Sequence, residues 1–324
     1  VLTTLLAFAV TPLLLAQPQS QASFVTAGAN DRAGSLSGED SLPGGMVLIP
    51  AGETVLGTDA DQVERLGQKN IQPMTDISAE TPRHTVHVET FFIDTTEITN
   101  LQWQVYLDAT GRKPSDDLVE YGWGTEEIPE GQEDFPVTGI SLPEIEAFLE
   151  WCGKRLPTEP EWTRAARGDD DRTYPWGPKW NSKLLQSGST VPQRINRVGS
   201  YPDGASPFGV HDLVGNVWEW VDSPYAPYDG FRPIEFKQGR KKILLTPEFN
   251  RTHKVGKGGC YISTRDTSTQ PWASAPRART RPVASRPSVR ATVACCRRAS
   301  PTSTCSTSRT CSPRRTRATT PTAA

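Results

Sequence analysis

Six cysteines and four histidines are the side chains of this 324-residue chain that could carry thiol chemistry or bind a soft metal. Cys152 shares one helical face with Ile145, Phe148 and Leu149, the pattern of a thiol packed in a core. Cys260 follows Lys257-Gly258-Gly259 and has no second sulfur at ligand spacing, so it reads as a structural or free thiol before a catalytic one. Cys295, Cys296, Cys305 and Cys311 crowd an Arg-rich tail and define no disulfide framework. His84 and His87 stand three apart in an alternating segment, which turns them to opposite faces instead of toward one ion; His211 and His253 are isolated. Harder chemistry is offered by Asp212 and Glu219. If Gly215 to Val221 is extended, then Gly215, Val217 and Glu219 share a face and Trp218 and Trp220 share the other. Calcium takes six to eight oxygens, which two carboxylates, main-chain carbonyls and water can supply. The competing reading is a solvated Asp and Glu beside a Trp-rich core strand.

The elements that must position these groups are announced by local signals. Gly44 to Pro50 is an apolar run closed by Pro-Ala-Gly, a short buried strand, and Thr85 to Ile93 alternates as a second strand. Three capping boxes, Thr99-x-x-Gln102, Ser141-x-x-Glu144 and Thr158-x-x-Glu161, each start a helix that stops at Gly111, Gly153 and Gly168 respectively. Beyond the third helix the sequence predicts turns and short strands, with a hairpin around Gln238-Gly239.

Charge and composition divide the chain. Residues 1–266 hold 24 basic against 37 acidic side chains, whereas residues 267–324 hold 11 Arg and no Lys, Asp or Glu. The acidic body excludes a nucleic-acid-binding role for it, because phosphate neutralisation needs a clustered basic face. Val1 to Leu15 is apolar but falls short of the roughly 20 residues of a membrane span. With small residues at Ser20 and Ala22, residues 1–22 read as a signal peptide, which predicts a periplasmic or secreted protein; a frayed apolar terminus is the alternative. Residues 23–43 read as a flexible linker, 44–272 as the folded domain, and 273–324 as an Arg/Ser/Thr/Pro-rich tail. That tail is either a disordered basic extension or the product of a reading-frame slip.

Several phrases in one order carry a resemblance. They include Gly45-Met46-Val47-Leu48-Ile49-Pro50, Glu97-Ile98-Thr99-Asn100, Arg155-Leu156-Pro157-Thr158-Glu159, Tyr174-Pro175-Trp176-Gly177, Gly215-Asn216-Val217-Trp218-Glu219-Trp220 and Lys257-Gly258-Gly259. The chain from Gly44 to Tyr261 resembles the formylglycine-generating enzyme, or sulfatase-modifying factor, family. The resemblance implies a single α+β domain of the C-type-lectin-like kind with little regular secondary structure. It also implies an oxidase that uses copper and oxygen to convert a cysteine of a Cys-x-Pro-x-Arg peptide to formylglycine through two active-site cysteines. Those cysteines fall three and eight residues after the last position of the Lys-Gly-Gly-Ser phrase. Here these positions are Ser263 and Ser268, and the phrase ends in Cys260. Thiolates suit Cu(I) and neutral hydroxyls do not, so a binding or accessory domain acting on an extracytoplasmic protein or peptide is expected, with the copper oxidase as the alternative. The same comparison implies calcium held by the Asp212 and Glu219 side chains and the Gly215 and Val217 carbonyls. The family's other calcium site has Asn where this chain has Leu184-Leu185. A family branch that forms sulfoxides with iron uses a histidine-rich helical partner domain, whose motif this chain lacks.

Overall fold

The computed structural model describes residues 45–67, 77–170, 172–238 and 240–263, and the backbone of three short strands after them. The expected signal peptide and linker, Ser268, and most of the Arg-rich tail lie outside the described residues. Two tight pairs open the fold. β1 (Met46–Ile49) runs antiparallel to β4 (Phe91–Asp94), and β2 (Gly52–Leu56) runs antiparallel to β3 (His84–Val88). The single strand expected over Thr85 to Ile93 is thus two, broken at Glu89-Thr90, because its halves pair with different partners. Between them lies α1 (Ala60–Gly67), which has no capping box to announce it.

The helices predicted from capping boxes form where the boxes stand. α2 (Asn100–Thr110) has Thr99 as its cap, with Gln102 N–H donating to Thr99 Oγ1 and Thr99 N–H donating back to Gln102 Oε1. A short α3 (Asp116–Leu118) runs into a wide turn at Val119–Trp123. α4 (Leu142–Cys152) starts at Ser141, whose N–H donates to Glu144 at 2.8 Å, and α5 (Glu159–Arg167) starts at Thr158, whose N–H donates to Glu161 at 2.8 Å. Gly111 and Gly153 end α2 and α4 in the left-handed conformation that a side chain disfavours.

β5 (Trp218–Tyr225) pairs with β8 (Asn250–Lys257), and β6 (Ile234–Gln238) forms the expected hairpin with β7 (Lys241–Leu245). From the tail, β9 (Ala275–Ala278) joins β8, β10 (Ala291–Val293) lies parallel to β5, and β11 (Cys296–Arg298) joins β4. Strand pairing therefore extends past residue 272, where the sequence reading ended the domain.

Two apolar cores flank the central strands. One gathers Trp103, Tyr106, Phe148, Leu149 and Cys152 from α2 and α4 against Trp220, with the Trp103 and Phe148 rings stacked at 5.1 Å. The expected core position of Cys152 is met, its Sγ donating to the Phe148 carbonyl at 3.0 Å. The other packs Trp162 and Ala165 of α5 on Phe91, Ile93, Val221 and Val255. Arg164, 1% exposed, binds this helix to the first turn of the domain by donating to the carbonyls of Pro50, Ala51 and Glu53 at 2.7–3.2 Å. Among the described residues no helix is long and apolar enough to cross a membrane.

Candidate functional site

The loop before β5 positions the carboxylates, and it is not extended. Asp212, Gly215 and Asn216 have φ of 55°, 92° and 51°, so the alternation expected from Gly215 to Val221 begins only at Trp218. Asp and Asn tolerate the left-handed region better than most residues. Gly215 has a steric reason as well: a Cβ there would lie 2.2 Å from the Gln186 carbonyl oxygen. Glu219, Trp220 and Val221 are all buried, so the expected two-faced strand is also absent where β5 begins.

The turned loop makes Asn216 a junction. Its Nδ2 donates to Glu97 Oε1 at 2.9 Å, its Oδ1 accepts from Asn196 N–H at 3.0 Å, and its carbonyl accepts from Tyr261 N–H at 2.8 Å. Asp212 Oδ2 accepts from Gly199 N–H at 2.5 Å, and Glu219 Oε2 accepts from the Trp162 indole at 2.8 Å. Glu97 is the residue that the sequence reading missed as a site member. It figured there only in a family phrase, and the contact that recruits it spans 119 positions.

Burial dominates the electrostatics of this trio. Glu97 is raised well above the usual carboxylate range by desolvation, then by the nearby charges of Asp212 and Glu219. Glu219 is pushed up to about 8, again first by desolvation, with Asp212 adding to the rise. Asp212 is raised by burial against the lowering effect of the Gly199 N–H. Glu97 Oε2 is buried without a hydrogen-bond partner. Hard oxygens, burial and an orphaned carboxylate oxygen suit a calcium ion in donor type. Among the described residues, however, no three His, Cys, Asp or Glu side chains are gathered closely enough to form a ready ion cage. A cation here would draw on main-chain carbonyls, such as those of Gly215 and Val217, as well as on the carboxylates.

The Lys257-Gly258-Gly259-Cys260 phrase lies against this loop. Gly215 N–H donates to the Gly258 carbonyl at 2.9 Å, and a Cβ on Gly258 would come within 2.9 Å of the Leu213 carbonyl. Lys257 is buried and committed, its Nζ 2.9 Å from Glu159 Oε1, which also accepts from Tyr228 at 2.8 Å. Cys260 is a buried free thiol. Its N–H donates to Ser263 Oγ at 2.9 Å, and its Sγ lies 3.6 Å from that oxygen. Ser263 therefore stands beside the one thiol of this turn, while Ser268 lies outside the described residues. Among the described residues this turn therefore offers one thiol and one hydroxyl. An open groove of about 290 Å³ adjoins the turn, lined by Gln132, Phe135, Gln193, Arg194, Ile195 and Tyr261.

The histidines do not converge. The His84 ring packs edge-on against Tyr228 at 4.7 Å, and His87 sits on the exposed side near Glu89.

Comparison with known proteins places this geometry in context. The chain is 31% identical over 257 residues to hercynine oxygenase of Mycolicibacterium smegmatis, which covers 69% of this chain and 56% of that protein. It is 27% identical over 262 residues to formylglycine-generating enzyme of Bos taurus, covering 63% of this chain and 66% of that protein. The chain thus spans just over half the length of the first of these relatives. Among solved structures, PvdO from Pseudomonas aeruginosa aligns with a TM-score of 0.53 at 24% identity over 78% of this chain and 93% of its own. Variable protein 1 of Treponema denticola aligns with a TM-score of 0.50 at 17% identity, over 78% and 94%. Both likenesses concern the α+β fold. Residues 35–288 match the family described as the sulfatase-modifying factor enzyme 1-like domain, and the chain belongs to that family.

Proposed function

We propose that this chain is an exported, non-oxidising member of its family, a pseudoenzyme that binds a protein or peptide in the groove beside Tyr261 and is braced by calcium. The observation that carries this reading is Ser263, which occupies a family cysteine position with its hydroxyl oxygen accepting from Cys260 N–H at 2.9 Å. A serine hydroxyl stays protonated near neutral pH and is a poor partner for Cu(I). Asp212 and Glu219 would hold calcium together with the Gly215 and Val217 carbonyls. Bound calcium supplies the positive charge that these buried carboxylates otherwise lack. Asn216 then transmits the loop's position to the groove, since it binds both Asn196 and Tyr261.

The alternative is the copper- and oxygen-dependent oxidase that converts a protein cysteine to formylglycine. It is favoured by the 3.6 Å approach of Cys260 Sγ to Ser263 Oγ, which brings one thiol beside a family position. Competition for Cu(I) against a chromophoric chelator separates the two. The proposal expects Cys260→Ser to leave the bound copper unchanged and Ser263→Cys, Ser268→Cys to add one tight equivalent. Loss of one equivalent in Cys260→Ser would favour the oxidase.

A further inference from the structure

The β6–β7 hairpin is a two-stranded sheet of its own whose two faces have opposite character. Its inner face is anchored: Ile234, Phe236 and Leu245 are buried with Val63 of α1 and Ile77, and Ile243 packs against them. Its outer face carries Glu235, Lys237, Lys242 and Leu244, all exposed, and the turn end of the hairpin adds exposed Arg240 and the first residue of β7, exposed Lys241. Four cations against one carboxylate therefore project from a domain that is otherwise acidic.

Two features of this face work against the isolated fold. Lys237 and Lys242 are directly opposed across the ladder, where like charges destabilise a strand pair, and only Lys242 reaches Glu235, at 2.9 Å. Leu244 is 62% exposed in the midst of these cations, whereas Leu245 beside it is buried. Hairpin stability alone would favour an opposite charge across from Lys237 and a polar residue at 244. A phosphate polymer or an acidic protein loop would neutralise the lysines and leave the leucine in water. The head-group region of an anionic bilayer accommodates both, since long cationic side chains reach lipid phosphates while an apolar neighbour enters the acyl boundary. We infer that the outer face of the β6–β7 hairpin docks this protein on an anionic lipid surface.

The test uses the full chain and reads lysine acetylation by mass spectrometry with and without vesicles. Residues 267–324 contain no Lys, so the readout is blind to attraction between lipid and the Arg-rich tail. Vesicles of phosphatidylcholine with phosphatidylglycerol should protect Lys237, Lys241 and Lys242 while leaving the exposed Lys113, Lys179 and Lys183 reactive. Pure phosphatidylcholine, or 0.5 M salt, should abolish the protection. Each cation near such a surface changes binding by about fivefold, so Lys237→Gln, Lys242→Gln should raise the lipid needed for half-protection of Lys241 about 25-fold. Leu244→Ser should raise it further, with neither variant melting below the wild type. Three results would overturn the inference. These are reactive hairpin lysines on anionic vesicles, equal protection of every exposed lysine, and hairpin protection that rises with protein concentration in the absence of lipid. The last would instead indicate a second copy offering its exposed acidic loop at Glu126, Glu127 and Glu130.

Discussion

Calcium and pH should act on this domain together, because the carboxylates proposed to hold the ion are the ones that burial disfavours. With the Glu219 carboxyl pushed up to about 8, the protonated form outnumbers the ionised one by about ten to one at pH 7. Calcium binds the ionised form and must displace that proton, so its affinity should rise about tenfold per pH unit between roughly 6 and 8. Without calcium the trend in stability is the reverse. An unfolded glutamate releases its proton near 4.5, while the native Glu219 keeps its proton to about 8. In that window the native state binds more protons than the unfolded one, so stability falls as pH rises. Glu97 and Asp212, also raised by burial, contribute with the same sign. At a hundredfold excess over Kd, calcium adds about 2.7 kcal/mol. For a domain of this size that is about 5–11 °C in Tm. Melting at pH 6, 7 and 8, with calcium or with a chelator, measures both trends. The calcium shift should grow with pH in the wild type and largely vanish in Asp212→Ala. Coincident curves at pH 8, or a full calcium response in Asp212→Ala, would refute the reasoning.

Three substitutions probe the scaffold around the site. Trp162→Phe removes the indole donor from Glu219 Oε2, which should cost about 1–3 kcal/mol in urea denaturation and move the calcium response to higher pH. Gly215→Ala forces a Cβ to 2.2 Å from the Gln186 carbonyl at a φ of 92°, so it should lower the denaturation midpoint and weaken calcium binding together. Arg164→Met leaves three carbonyls of the first turn without their donor, at about 1–3 kcal/mol each, and should yield a protein cleaved rapidly by trypsin under conditions where the wild type resists.

What the sequence made legible was what local chemistry decides. The three capping boxes specify both the cap and its reciprocal bond within four residues, and α2, α4 and α5 start where those residues stand. The hairpin was legible for the same reason, since its turn and its alternation lie side by side. Long-range partners decided the rest. Thr85 to Ile93 alternates throughout, yet β1 and β2 claim different halves of it. The loop at Asp212 to Asn216 looked extended because nothing nearby in sequence signals that the Gln186 carbonyl occupies the space beside Gly215. Of the acidic trio, Asp212 and Glu219 were singled out by their oxygen chemistry together with the family resemblance, and Glu97 required the contact with Asn216. Local propensity carries no information about a buried charge cluster assembled from distant turns.

The loss of copper-dependent oxidation is the central claim, and incubation with substrate tests it most directly. The purified chain is mixed with Cu(I), oxygen and a Cys-x-Pro-x-Arg peptide, and the peptide is examined by mass spectrometry for the aldehyde. The account predicts no aldehyde, because Ser263 accepts a hydrogen bond from Cys260 N–H where the chemistry needs a thiolate. Aldehyde formed by the wild type and abolished in Cys260→Ser would contradict it and make Cys260 the catalytic thiol.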